Sequence, residues 1–256
     1  MLVGVIHLPA LPGSPGSKLS ARECVASAAR CARALAGYDA IIVENFGDAP
    51  FFAGRVPPVT IAAMTACALA VRDAAPDTKL GINVLRNDGE GALSIAACVD
   101  ASFIRVNVLT GARVTDQGII QGDAANLARL RRSLNGAIDI WADVDVKHSS
   151  PLGAARPLVQ EVEDTAKRAL ASAVLVTGDG TGKGVDLEKL ASVKQAAGKV
   201  PVLVASGATL ATLAPYADGV IVGSALRIDG IPGGSVDATL ARTFADAFRR
   251  VFQKAP

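Results

Sequence analysis

Short apolar runs alternate along the chain with longer segments in which apolar residues recur every three or four positions. A short run is typical of a buried β-strand, and the longer spacing is typical of an amphipathic helix. The runs predict strands over residues 2–7, 39–44, 79–83, 103–107, 137–146, 174–177, 202–205 and 219–222. The segments that follow them predict helices over about 20–36, 58–74, 90–99, 123–134, 159–172, 186–196, 210–215 and 236–252.

This order gives eight β-then-α units, and no change of composition divides the 256 residues into separate parts. Such a repeat predicts an α/β fold, a single (β/α)8 TIM barrel in one domain that spans residues 1–256. An open doubly wound sheet is the alternative, but it would need a G-x-G-x-x-G motif after the first strand. The sequence HLPALP stands there, at residues 7–12, so the barrel is favoured.

Polar residues stand at alternate positions near the ends of several predicted strands. Asp143, Asp145 and Lys147 share one parity, as do Arg105 and Asn107 on the preceding strand. Alternate residues of a barrel strand face the lumen, and barrel enzymes keep their chemistry at the carboxyl ends of the strands. The predicted catalytic residues are Glu44, Arg105, Asp143, Asp145 and Lys147. The predicted substrate-binding residues are His7, Asn45, Asn83, Asn107, Asp116, Thr177 and Thr181.

Other interpretations of these polar residues stay open. Glu44 and Asp143 could pair with Arg105 in a purely structural network that plugs the barrel, because a buried charge needs a partner. Asp143 and Asp145 could hold a divalent metal ion together with Glu44, although no ligand pattern selects a metal and no cofactor is predicted. Lys147 could form a Schiff base, but its flanking aspartates favour the charged amine and hence a simple charge contact with substrate.

Glycines follow the last two predicted strands. Ser206 and Gly207 follow the seventh strand, and Gly223 and Ser224 follow the eighth. Barrels that bind phosphate do so in these two loops, where glycine lets backbone N–H groups approach the anion. The sequence therefore predicts that these four residues bind phosphate. The alternative is that Gly207 and Gly223 only permit tight turns.

Two further loops are long enough to cover a site. Residues 177–184 read TGDGTGKG, which lacks the glycine spacing of a Walker A motif. We expect this loop to cover the substrate, with Thr177 and Thr181 as hydrogen-bond donors, and plain flexibility is an equal alternative. The long segment after the fourth strand is predicted to form either a lid or a subunit contact through Ile119 and Ile120.

Composition and charge narrow the classes of function. The chain has 26 basic and 24 acidic residues without a basic stripe, so no nucleic-acid partner is expected. No apolar run reaches about 18 residues, so no integral membrane segment is expected. The start lacks a basic leader and the four cysteines form no C-x-x-C pair, which predicts a soluble cytoplasmic protein. His148, the only histidine besides His7, is expected to face away from Lys147, so no serine triad is indicated.

Several blocks of the sequence resemble the BtpA/SgcQ family. They are GVIHLP (4–9), PGSP (12–15), VENFGD (43–48), NVLTG (107–111), TDQG (115–118), ADVDVKH (142–148) and YADGVIVGS (216–224). The resemblance implies a barrel of the ribulose-phosphate-binding type. ASG at 205–207 stands where the family usually has GSG, which implies a weaker backbone contact there. The family is named for a role in photosystem I accumulation in cyanobacteria, and related members occur in sugar metabolism, so the resemblance implies no single reaction.

Two main functions follow. The first is an enzyme that acts on a small phosphorylated sugar or nucleoside-like molecule. Glycosidic cleavage would use Asp143 or Glu44 to stabilise an oxocarbenium-like centre, with asparagines binding hydroxyls, whereas isomerisation or aldol cleavage would use Asp145 and Lys147 to move protons. The second is an assembly or stability factor for photosystem I or a similar complex, without catalysis. A sensor that binds a sugar phosphate without turnover is a third alternative, and each is compatible with a homo-oligomer.

Overall fold

The computed structural model describes residues 1–134, 137–177, 186–206 and 217–252. Within these ranges, eight strands hydrogen-bond side by side into a closed parallel barrel. They are β1 (Leu2–His7), β2 (Ala40–Glu44), β3 (Lys79–Asn83), β4 (Phe103–Val106), β5 (Asp139–Val144), β6 (Ala173–Thr177), β7 (Val202–Ser206) and β8 (Gly219–Val222). The strands follow in that order around the barrel, and β8 closes it against β1. The predicted TIM barrel is confirmed.

Helices alternate with the strands. They are α1 (Ala21–Ala34), α2 (Pro58–Ala74), α3 (Gly89–Cys98), α4 (Ala124–Ser133), α5 (Leu158–Glu163), α6 (Leu187–Ala197) and α7 (Ala238–Phe252). A π-helical turn, Asp164–Arg168, extends α5, and 3-10 turns cover Phe46–Asp48, Ser224–Leu226 and Ile228–Gly230. The helix predicted over 210–215 lies outside the described residues. None of the helices in the described ranges is both long and apolar enough to cross a bilayer.

Local sequence explains where two of these helices begin. Ser20 caps α1 in a capping box with Glu23, in which each side chain satisfies a backbone N–H of the other. Asp88 caps α3 by accepting a hydrogen bond from the N–H of Gly91. Such caps satisfy N–H groups that have no partner inside the helix, so they fix the start of each helix after its strand.

Apolar side chains fill the lower levels of the barrel lumen. Val3 and Val5 of β1, Phe103 of β4 and Trp141 of β5 belong to this inner core. The rings of Phe103 and Trp141 stack with centroids 3.7 Å apart. Gly81 of β3 makes room for them, since a Cβ there would lie 2.2 Å from the Phe103 ring. On β1, β4 and β5 the inward position that follows these residues carries a polar side chain, so the polar cluster lies directly above the apolar inner core.

The long segment after β4 folds into a β-hairpin rather than an irregular loop. Three antiparallel strands, which we call the side sheet, are formed by Ala112–Thr115, Gly118–Gln121 and Ser149–Pro151. Ile120 is buried in a small cluster with Val108 and Val146, whereas Ile119 is exposed. The predicted subunit contact through both isoleucines is therefore wrong for Ile120, because its side chain is used inside the chain.

Candidate functional site

A cavity of about 410 Å³ opens at the carboxyl ends of the barrel strands. Val5, Ala205 and Ile221, which belong to the inner core, line its deep end. Most of the predicted site residues line it as well, namely His7, Glu44, Arg105, Asn107, Asp143, Lys147, Thr177, Gly223 and Ser224. The cavity therefore lies at the end of the fold where TIM-barrel enzymes carry their active sites.

Arg105 and Asp143 form a two-pronged ion pair between β4 and β5. Arg105 Nε donates to Asp143 Oδ2 at 3.2 Å, and one Arg105 Nη donates to Oδ1 at 3.1 Å. Asn107 Nδ2 adds a hydrogen bond of 2.5 Å to Asp143 Oδ2. Because both carboxylate oxygens accept hydrogen bonds, the carboxylate of Asp143 is fixed in position between Arg105 and Asn107.

The side-chain oxygen of Asn107 has no hydrogen-bond partner among the described residues. This atom, Oδ1, is buried. Leaving a buried acceptor unsatisfied is costly, so such an atom in a cavity wall is a natural partner for a ligand donor. Asn107 is thus suited to accept a hydrogen bond from a substrate hydroxyl.

Glu44, at the end of β2, is the second buried carboxyl group. Asn83 Nδ2 donates to its Oε2 at 2.8 Å, and one Arg105 Nη lies 3.9 Å from the same oxygen. Burial raises the pKa of Glu44, and the charge of Arg105 and the hydrogen bond from Asn83 oppose this rise. A buried carboxyl group with a raised pKa can exchange a proton nearer to neutral pH, which suits general acid or base chemistry. The predicted network of Glu44, Arg105 and Asp143 is present, and it lines the cavity.

His7, at the end of β1, is neutral. Burial lowers its pKa to about 3, assisted by the positive charges of Arg227 and Arg105. Its Nδ1 accepts a hydrogen bond from the backbone N–H of Gly233 at 3.0 Å. Its Nε2 lies 3.8 Å from Glu44 Oε1, and because the ring is uncharged this approach is not an ion pair.

Arg227, which follows the 3-10 turn after β8, is a buried cation that was not among the predicted site residues. The residue is 3% exposed, and its guanidinium donates to the carbonyl oxygens of Val5, Gly223 and Gly234. Burial lowers its pKa. Among the described residues it has no carboxylate as an ion-pair partner. A lone arginine in the apolar stretch GSALR, at 223–227, is the sequence signal that could have pointed to it.

The loop after β8 brings this cation next to the cavity. Gly223, Ser224 and Ala225 line the cavity, and the Gly223 carbonyl accepts from Arg227. A Cβ added to Gly223 would meet the His7 imidazole at 3.5 Å and Arg227 at 3.8 Å, which is ordinary van der Waals contact. Packing therefore does not require glycine here, and the bare backbone is open to a ligand.

The structure separates Asp145 from the cavity. β5 ends at Val144, and Asp145 has a φ of 50°, which breaks the alternation of the strand. Its half-exposed carboxylate pairs with Arg113 at 3.5 Å and with Lys189 at 2.8 Å. The predicted common face of Asp143 and Asp145 is therefore wrong. Consistently, the described part of the chain contains no group of three or more acidic, histidine or cysteine side chains placed to hold a metal.

Beyond Asp145 the chain turns back towards the cavity. Lys147 and His148 both line it, so the prediction that His148 faces away is wrong. The reason is that His148 also has a left-handed backbone, with a φ of 55°, so strand parity does not apply to it. Arg86, a second residue that sequence analysis missed, lines the cavity and donates to the carbonyl of Lys147 at 3.0 Å.

The remaining predicted residues take other positions. Asn45 accepts a hydrogen bond from the N–H of Leu85 at 2.7 Å and donates to Asp48 at 3.1 Å, so it supports the backbone beside the site. Asp116 is exposed in the turn of the side-sheet hairpin. Thr177 lines the cavity. Ser206 ends β7, and Thr181 and Gly207 lie outside the described residues.

Known proteins resemble the chain over nearly its whole length. The sequence profile described as the BtpA family matches residues 1–250. The chain is 43% identical over 262 residues to the photosystem I biogenesis protein BtpA of Synechocystis sp., covering 100% of this chain and 90% of that protein.

Solved structures show the same fold at low sequence identity. N-(5'-phosphoribosyl)anthranilate isomerase from Pyrococcus furiosus has a TM-score of 0.56 at 16% identity, over 98% of this chain and 100% of that chain. Orotidine 5'-phosphate decarboxylase from Pyrococcus horikoshii has a TM-score of 0.56 at 14% identity, over 97% and 99%. These likenesses show the same fold and agree with the predicted TIM barrel.

Proposed function

The chain belongs to the BtpA family, and we propose that it is an enzyme that acts on a small phosphorylated sugar or nucleoside-like molecule. One observation carries the proposal, namely that a single cavity lies between buried carboxyl groups and a buried arginine without an acidic partner in the described ranges. The carboxylate wall consists of Glu44, Arg105, Asn107 and Asp143, and the loop wall consists of Gly223, Ser224, Ala225 and the underlying Arg227.

The loop wall is suited to an anion. Arg227 donates its hydrogen bonds to carbonyl oxygens and forms no ion pair among the described residues, so a phosphate at this wall would supply a negative charge close to it. Gly223 adds bare backbone that an anion can approach closely. The names of both similar barrels include a phosphorylated compound, which supports the same class of ligand for this chain.

The carboxylate wall supplies the chemistry in this proposal. Asp143, whose carboxylate is fixed by Arg105 and Asn107, would stabilise an oxocarbenium-like centre. Glu44, with its raised pKa, would give a proton to the departing atom or take one from an attacking water. Because Asp145 lies away from the cavity, proton transfer by Asp145 loses its support, and glycosidic cleavage or sugar-phosphate chemistry through Glu44 is the version that we propose.

A second candidate function is assembly or stabilisation of a photosystem-like complex without catalysis. The name of the Synechocystis relative favours it. So do Ile228 and Ile231, which are 69% and 64% exposed and flank Gly230 in the cavity wall. Large apolar side chains exposed near a cavity are a feature of surfaces that a partner covers.

Ligand-dependent thermal stability tests the enzyme proposal with a panel of sugar phosphates, nucleosides and nucleotides. A ligand at about 100 times its Kd stabilises the folded state by about 2.7 kcal/mol, which is a shift of several degrees. Gly223→Asp should abolish the shift by repelling phosphate, whereas Gly223→Ala, whose methyl group fits at ordinary contact distance, should keep it. If no phosphorylated compound stabilises the protein, the phosphate site is discredited.

The two candidate functions make opposite demands in a complementation assay. If the protein is an enzyme, a folded Asp143→Asn variant should fail to restore function, and the double variant Ile228→Ser, Ile231→Ser should restore it. An assembly factor should show the reverse. The experiment thus separates a requirement for the carboxylate wall from a requirement for the exposed isoleucines.

A further inference from the structure

A backbone contact fixes the position of the proton on His7. The N–H of Gly233 donates a hydrogen bond to His7 Nδ1 at 3.0 Å. A backbone N–H can only donate, so Nδ1 must carry a lone pair. In a neutral imidazole the single ring proton then lies on Nε2.

The surroundings of the ring hold it in the neutral form. Burial removes the water that would solvate an imidazolium, and the positive charges of Arg227 and Arg105 oppose a further one. Glu44 is the acidic group closest to Nε2 in the described structure, and burial raises the pKa of Glu44, which makes it a weaker counter-charge for an imidazolium. The ring stacks on Phe46 with centroids 4.2 Å apart, so it is also fixed in orientation.

The Nε2–H group has no acceptor among the described residues. Glu44 Oε1, at 3.8 Å, is too distant for a hydrogen bond. His7, Glu44 and Gly223 all line the cavity, and a Cβ added to Gly223 would still lie 3.5 Å from Nε2. An oxygen atom of a ligand can therefore reach this donor from the cavity.

We propose that His7 is a permanently neutral hydrogen-bond donor, which presents Nε2–H to an oxygen atom of the substrate beside Glu44 and does not itself transfer the proton. This inference rests on the proposed function, because it requires the cavity to bind an oxygen-rich molecule. It divides the work between two residues: Glu44 exchanges the proton, and His7 stabilises negative charge on the adjacent oxygen without titrating. The substrate must then carry an acceptor oxygen that gains negative charge, such as a carbonyl or leaving-group oxygen, next to the reacting bond.

Nitrogen NMR of the histidine rings tests the first half of the inference without any ligand. The chain has two histidines, so in the variant His148→Gln the only imidazole signals come from His7. We expect an unprotonated Nδ1 and a protonated Nε2 whose shifts stay constant from about pH 5 to about pH 8, the window in which an unperturbed histidine titrates. A proton on Nδ1, or a titration within this window, would overturn the inference and leave the phosphate site untouched.

Titration with ribose 5-phosphate tests the second half. Binding should move the Nε2 and Hε2 signals more than the Nδ1 signal, and Gly223→Asp should remove the response. His7→Leu should weaken binding by up to about tenfold, and His7→Gln, which keeps a neutral donor, should weaken it less. Binding without a change at Nε2 would overturn the inference alone. Absence of binding by this probe and by every other phosphorylated compound of the panel would overturn the inference together with the proposed function.

Discussion

The two walls of the cavity bury charge in opposite ways. In the carboxylate wall, Arg105 pairs with Asp143 of the neighbouring strand β5 and also lies 3.9 Å from Glu44 of β2, so charged side chains of both signs face one another. In the loop wall, Arg227 is held by carbonyl oxygens from β1 and from the segment after β8. The first wall holds charges of both signs, whereas the second holds a buried cation whose hydrogen bonds all go to carbonyl oxygens. The anionic part of a ligand should therefore lie at the loop wall and its reacting bond at the carboxylate wall.

Breaking the carboxylate wall should have the largest effect on stability. Asp143→Asn removes a negative charge and leaves the Arg105 guanidinium buried, and breaking a buried ion pair in this way costs about 3–5 kcal/mol. We expect the free energy of unfolding in urea to fall by that amount. The double variant Asp143→Leu, Arg105→Met, which removes both charges, should be less destabilised than the single variant. Equal losses of unfolding free energy in the two variants would show that the unpaired charge of Arg105 does not cause the destabilisation.

Removing Arg227 from the loop wall should reduce stability less than Asp143→Asn does, but it should abolish ligand binding. Arg227→Met leaves the carbonyl oxygens of Val5, Gly223 and Gly234 without their donor, and we expect a loss of about 2–3 kcal/mol in the free energy of unfolding. The ligand-induced shift of Tm should disappear. Arg227→Lys keeps the charge but not the planar fork, so it should lose stability and retain part of the shift. A full shift in the methionine variant would show that this wall is not the anion site.

The carboxylate wall was predictable because its residues belong to strands. Alternation along β4 and β5 places Arg105 and Asp143 on the inward face, directly above Phe103 and Trp141 of the inner core. Glu44 could be placed by the same rule, as the last residue of β2. Sequence periodicity therefore predicts a functional side chain as long as the backbone keeps the geometry of a strand.

The rule fails where the backbone leaves that geometry. Asp145 and His148 both have a left-handed φ, so counting alternate residues from Asp143 misplaces them. Arg227 could not be placed by any local pattern, because one of its acceptors is the carbonyl of Val5, 222 positions away in the sequence. The loop wall was predicted only through Gly223 and Ser224 and their position after the eighth strand. The charge of Arg227 could not be placed, because it depends on the contact between the first strand and the segment after the last one.

A change of pH should alter stability through Glu44 of the carboxylate wall, by less than either substitution above. Folding raises the pKa of Glu44, so the folded state favours the protonated carboxyl group. The resulting stabilisation is present below the unfolded pKa, and it is lost as the pH rises through the folded pKa. Glu44→Gln keeps an acceptor for Asn83 and does not titrate, so from about pH 4 to about pH 8 its stability relative to wild type should increase. Urea unfolding across this range measures the difference, and a constant difference would contradict a raised pKa.

The smallest effect should come from Asp145→Asn, the same chemical change as Asp143→Asn made two positions later. The Asp145 side chain is 50% exposed, and an exposed ion pair contributes about 0–1 kcal/mol. Its partner Arg113 is buried but also lies 3.5 Å from Glu161, so it keeps a counter-charge when Asp145 is neutralised. We therefore expect a loss below about 1 kcal/mol in unfolding free energy and an unchanged ligand-induced shift of Tm. Loss of that shift in a folded Asp145→Asn variant would place Asp145 in the site and remove the contrast between the two aspartates.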